Sequence, residues 1–142
     1  MNDPIGAVNF TPALVSKDGD PHLAMASVRN VYIKQMYFVK PGDKLDGHKH
    51  VHDHATLLAS GAVEVTVNGV TTPFRAPKII WIAADCEHMI VATKAHTVAY
   101  CVHAIRNGDG VDDIIDPESI PNGTLGFHMP ANAKSLLRSD KA

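Results

Sequence analysis

The sequence predicts an all-β fold, a single antiparallel barrel or sandwich. Short apolar runs recur between residues 30 and 105 with turn signals between them. Asn68-Gly69 stands between VEVTV and VTTPF, a hairpin signal because a type I′ turn needs positive φ at both central positions. A chain of 142 residues is the length of one domain and can bury a core without staples.

Each element can be justified in turn. Up to Pro21 the chain is rich in Asp, Gly and Pro and reads as irregular, with one short strand at 13–16. NVYIKQMYFVK, residues 30–40, is the first convincing strand. Val31, Ile33, Gln35, Tyr37 and Val39 share one face, and Tyr32, Lys34, Met36, Phe38 and Lys40 the other. The two lysines place the second face toward solvent, so Gln35 and Tyr37 are expected to look inward. PGDKLDG reads as a turn, ATLLASG and AVEVTVNGV as strands, KIIWIA as a strand with a turn into His88, and MIVAT and HTVAYCVHAIR as two more. Phe38 and Trp81 are expected in the core. Residues 107–142 are acidic and turn-rich and end in a stretch compatible with one short helix near Pro130. The expectation is one domain over 1–142, with a barrel core at about 30–105 and an irregular C-terminal extension at 107–142.

Composition narrows the function. Net charge is −2, with 13 basic and 15 acidic residues, which gives no footprint for nucleic acid. No apolar run approaches the roughly 20 residues that span a bilayer. Cys86 and Cys101 are too few for a disulfide framework and fit a reducing compartment, so a cytoplasmic location is expected. The acidic residues Asp109, Asp112, Asp113 and Asp116 lack the pattern of a calcium loop and read as a solvated face.

The chemistry lies in the histidines. Four alternate in GHKHVHDH, at His48, His50, His52 and His54, and His88 follows in ADCEHMI. Neutral imidazole is the commonest protein ligand for transition metals. Spacing of i, i+2 puts side chains on one face of an extended strand. His48 with His50, or His50 with His52, can therefore reach one ion. His54 lies too far along a straight strand to share it, so a bend or bulge between His50 and His54 is needed, at Val51 or Asp53. The bland alternatives are a solvated polar loop for the run and an unrelated loop histidine for His88.

The run and its flanks resemble the first motif of the cupin family, G-x5-H-x-H-x3–4-E-x6-G. Gly42, His48, His50, His54 and Gly61 stand at matching spacings, with His54 where the family usually has glutamate. The second motif, G-x5-P-x-G-x2-H-x3-N, is kept only at His88; Ala83, Asp85 and Ala92 replace the proline, a glycine and the asparagine. The resemblance covers roughly residues 30–105. It implies a double-stranded β-helix, a jelly-roll barrel, with one metal held by His48, His50, His54 and His88, and it sets His52 aside. Cupin barrels commonly pair, which implies a homodimer, and an exposed N-terminal strand joining the partner's sheet would cover an edge.

Replacing the carboxylate with imidazole leaves the full charge of a divalent ion in place. Such a site favours iron, nickel, copper or zinc over magnesium, calcium or manganese. All-histidine sites among cupins resemble those of small-molecule dioxygenases, diketone-cleaving ones included. The expected partner is thus a small-molecule ligand, an organic acid or a diketone. The competing classes are a metal-dependent isomerase, decarboxylase or lyase, and a non-enzymatic binder of metal or ligand. No residue is assigned as catalytic; Glu64 and Asp53 are the candidates for a general base. His103, on a barrel strand, is positioned to face the cavity, whereas His22, His96 and His128 read as ordinary surface or core histidines. Cys86 reads as a small buried apolar residue.

Overall fold

The computed structural model describes residues 4–12, 18–47 and 54–104, His54 by its backbone alone. The strand expected at 13–16, the bend after His50, the acidic cluster, His128 and the 107–142 extension lie outside the described residues.

Alternating apolar residues in short runs produce ten strands among the described residues. They are β1 (Thr11–Pro12), β2 (His22–Val28), β3 (Val31–Phe38), β4 (Lys44–Leu45), β5 (His54–Ser60), β6 (Ala62–Val67), β7 (Val70–Arg75), β8 (Lys78–Ile82), β9 (His88–Ala92) and β10 (Thr97–Ala104). They form two antiparallel sheets, ordered β1-β2-β3-β10-β5-β8 and β4-β9-β6-β7. Met36, Phe38, Leu58 and Ile80 of the first sheet pack with Val63, Val65, Ile90 and Ala92 of the second in one core.

Two turns show how sequence sets this geometry. Asn68 and Gly69 have φ of 49° and 83°, as the hairpin signal requires, and the register of β6 on β7 runs from Ala62–Arg75 to Val67–Val70. Gly61, at φ 84°, joins β5 to β6, and a Cβ there would lie 2.1 Å from Thr97 Oγ1. Buried Thr97 accepts from the Ala62 N–H at 3.2 Å and donates to the Lys94 carbonyl at 2.9 Å. The glycine therefore lets β10 start directly against the β5–β6 corner.

The structure corrects several expectations. The sheet begins before residue 30, because β2 pairs along its whole length with β3, from His22–Tyr37 to Val28–Val31. Ala24, Ala26 and Ser27 in β2 carry no β-branched or aromatic signal, which hid the strand. PGDKLDG contains the short strand β4. β1 lies on β2 of its own chain, Thr11 opposite Met25, which adds a strand that the sequence did not announce.

The faces of β3 are the reverse of those expected. Tyr32, Met36 and Phe38 are wholly buried, while Gln35 and Tyr37 lie on the outside. Gln35 donates to the Tyr100 hydroxyl at 3.1 Å, and the Tyr37 hydroxyl meets His96 Nδ1 at 2.5 Å on the exposed surface. The outer face is itself partly covered. Phe10 lies over Tyr100, with ring centroids 5.9 Å apart, and Ala24 and Ala26 are buried although they pair with outward residues of β3. With both faces of the strand partly apolar, the alternation did not reveal which was the core. Phe38 is in the core as expected, but Trp81 is not: it is 68% exposed, on the outer face of β8.

Candidate metal centre at the mouth of the barrel

One end of the barrel gathers the chemically capable side chains. Ile82 ends β8 and His88 begins β9, joined by the five residues 83–87, so both sheets open at this end. β4 ends here too, leading through Asp46 to Gly47, and the backbone of His54 opens β5 opposite Ile82. Gly47, which precedes the histidine run, and the backbone of His54, its last member, thus flank the same mouth.

His88 is 8% exposed and pairs with Val67 across β6, which shares the inward face with Val65 and Val63. Its Nδ1 lies 3.0 Å from the Cys86 carbonyl, so Nδ1 carries the proton and donates. A carbonyl can only accept, so this contact holds the ring in a single tautomer and a fixed orientation. Gly47 passes so close that a Cβ on it would sit 1.2 Å from the His88 carbonyl oxygen. The glycine before His48 is therefore packed on the backbone of His88.

The first sheet supplies the opposite wall. Antiparallel partners share a face, which places Ser27 with Tyr32, Met25 with Lys34, and Thr56 with Cys101. His103, expected to face the cavity, is buried on this face opposite Tyr32, their ring centroids 6.5 Å apart. Cys101 is buried and lies 3.6 Å from Thr56 Oγ1; Cys86 is half-buried against the core, and both thiols are free. Glu64 does not fit as a general base. It is exposed on β6 between the inward Val63 and Val65 and points away from the interior. His22 and His96 are exposed on the outer surface. Asp53 and His52 lie outside the described residues.

Beside His88, a concavity of about 560 Å³ is lined by Asp46, Thr66, Asn68, Glu87, His88 and Met89. Among the described residues no three metal-type donors cluster. His48 and His50 lie outside them, as does the side chain of His54. The sequence reading missed Ser27, Tyr32 and Lys34 as inward polar residues. The available signal was Lys34 itself, a lone charge on the more strongly apolar face of β3.

Comparison with solved structures decides the fold. An RmlC-like cupin from Shewanella frigidimarina superposes with a TM-score of 0.55 at 15% identity, covering 70% of this chain and 86% of that one. The protein has the cupin fold. KdgF from a Halomonas species gives a TM-score of 0.56 at 14% identity, over 71% of this chain and 89% of KdgF. An uncharacterized double-stranded β-helix protein from Klebsiella pneumoniae gives 0.55 at 18% identity, over 67% and 85%. No protein-family profile matches the chain, and no curated protein matches it. At these identities the likeness concerns the fold, and cupin folds host unrelated chemistries, so function must be argued from the mouth of this cupin barrel.

Proposed function

We propose that the protein is a metal-binding cupin that acts as a dioxygenase-like enzyme on a small organic acid or diketone. One divalent transition metal, iron, nickel, zinc or copper, is held by His48, His50, His54 and His88. The observation that carries this reading is the anchoring of His88: its Nδ1 is tied to Cys86 and its backbone is packed on Gly47, next to His48. A buried imidazole oriented in this way fits a metal ligand, and Gly47, the residue that precedes the run in sequence, lies against it.

When bound, the ion supplies Lewis-acid and redox chemistry toward an enolate or carboxylate. The chain's own residues do the rest. The Cys86 carbonyl holds the His88 ring in one tautomer. Val67, opposite His88, and Ile82 at the end of β8 present apolar surface to the interior. Tyr32 and His103, packed on each other, fix the shape of the opposite side. The exposed apolar residues Ile79 and Trp81 on β8, the end strand of its sheet among the described residues, support a homodimer. Sedimentation should then give twice the 15.3 kDa chain mass, and a monomer at all concentrations would remove that part of the reading.

Elemental analysis of protein purified without chelator should find about one transition metal per chain. His88→Ala and His50→Ala should bring it below about a tenth, and His22→Ala, on the outer surface, should leave it unchanged. Wild-type protein without metal would overturn the reading. With Fe(II) and a panel of 1,3-dicarbonyls, uptake of O₂ with product formation supports the oxygenase. Turnover without O₂ assigns the site to a lyase or isomerase, and saturated metal without turnover assigns it to ligand binding alone.

A further inference from the structure

The inner face of β3 carries one charge that the fold does not explain. Lys34 pairs with Met25 on one side and Cys101 on the other, both buried, so its side chain leaves the strand on the interior face. It is half-buried, and among the described residues it makes no ion pair. A charge on an interior face is costly without a counter-charge or hydrogen bonds. No inward strand position among the described residues is a carboxylate, and Asp43, buried toward the other end, already accepts from the Lys40 N–H at 3.1 Å.

A second observation points to the same place. Ser27 is 4% exposed, and among the described residues its Oγ has no hydrogen-bond partner. It pairs with Tyr32, so it sits diagonally across from Lys34 on the same face, at a Cα separation of about 7–8 Å. A buried hydroxyl left unpaired costs about 1–3 kcal/mol. Here it lies diagonally across from a cation that also makes no ion pair among the described residues. Further along β3 the interior residues are Met36 and Phe38, and along β10 Ala99 and Thr97, whose hydroxyl is bound to Ala62 and Lys94, so the unpartnered pair lies toward the end that His88 shares.

We infer that Lys34, with Ser27, recognises an anionic group of a ligand bound in the barrel: a carboxylate or the enolate oxygen of a small organic acid. The ammonium supplies the charge and the hydroxyl of Ser27 donates one hydrogen bond to the same group. The inference deepens the proposed function by naming the ligand's charge and the residues that read it. It does not require that the metal reading be correct.

The test uses malonate and its neutral analogue malonamide as probes, titrated calorimetrically into the purified full chain before and after chelator treatment. Wild-type protein should bind malonate. Lys34→Met should weaken that binding by about tenfold or more, as expected for loss of a charge-assisted hydrogen bond. Lys34→Arg should restore most of it, while malonamide should bind no differently to the three proteins. Metal content and melting temperature of Lys34→Met should match wild type, which separates recognition from folding. Lys34-dependent malonate binding in a protein that never holds metal would uphold this inference while removing the metal centre. Failure of wild type to bind malonate, or equal affinity in wild type and Lys34→Met, would overturn it and would mean that the lysine only extends its ammonium to solvent.

Discussion

Gly47→Ala is expected to destabilise the protein by about 3 kcal/mol, the upper end for overpacking a close contact, and to empty the proposed metal centre. A Cβ at this position would fall 1.2 Å from the carbonyl oxygen of His88 and 2.3 Å from its carbonyl carbon. Those atoms belong to the first residue of β9, whose register on β6 is fixed by five consecutive pairs from Val63–Ala92 to Val67–His88. The strand cannot yield without losing that ladder, so the Gly47 segment must move, carrying the start of the histidine run away from His88. Gly6→Ala, with open space around the new methyl, should change stability by less than about 0.5 kcal/mol. Urea unfolding together with metal content per chain measures both effects. A Gly47→Ala protein as stable as wild type would mean that the chain does not pass against His88 in solution.

The glycine shows what was legible in the sequence and what was not. The strands from β5 to β10 follow from apolar runs and turn dipeptides, because each signal is local: Asn68-Gly69 alone dictates a hairpin and its register. The cupin architecture followed from histidine and glycine spacing, which the fold's corners impose at Gly61 and beside His88. The tie of His88 to Cys86 was within reach of the sequence, since the two stand only two positions apart. The inner wall was not. Both faces of β3 carry apolar residues, and the outer one is partly covered by distant parts of the chain, such as Phe10 over Tyr100, ninety positions away, so alternation alone does not say whether Tyr32 and Lys34 face in. Glu64 failed as a base for a related reason: its parity is set by pairing with Val91 and Pro73, distant partners that composition does not name.

The face of β3 can be tested by two neighbouring truncations with very different expected costs. Phe38→Ala should destabilise by about 3–5 kcal/mol, the usual range for a buried phenylalanine, which combines lost transfer energy with an unfilled cavity. Phe38 has no exposed surface and touches the core shared by both sheets. Tyr37→Ala should cost about 1 kcal/mol. It removes a hydroxyl contact to exposed His96 and the stacking of their rings at 5.9 Å, and it leaves no interior void. The two residues are adjacent, so strand propensity and local sequence affect both alike; only parity separates them. A register slip of one residue would exchange their roles and would also turn Lys34 outward and Gln35 inward. Urea denaturation of the two variants therefore tests the inner wall as a whole. A larger loss at Tyr37 than at Phe38 would reverse the face of β3 and remove the structural basis for anion recognition by Lys34.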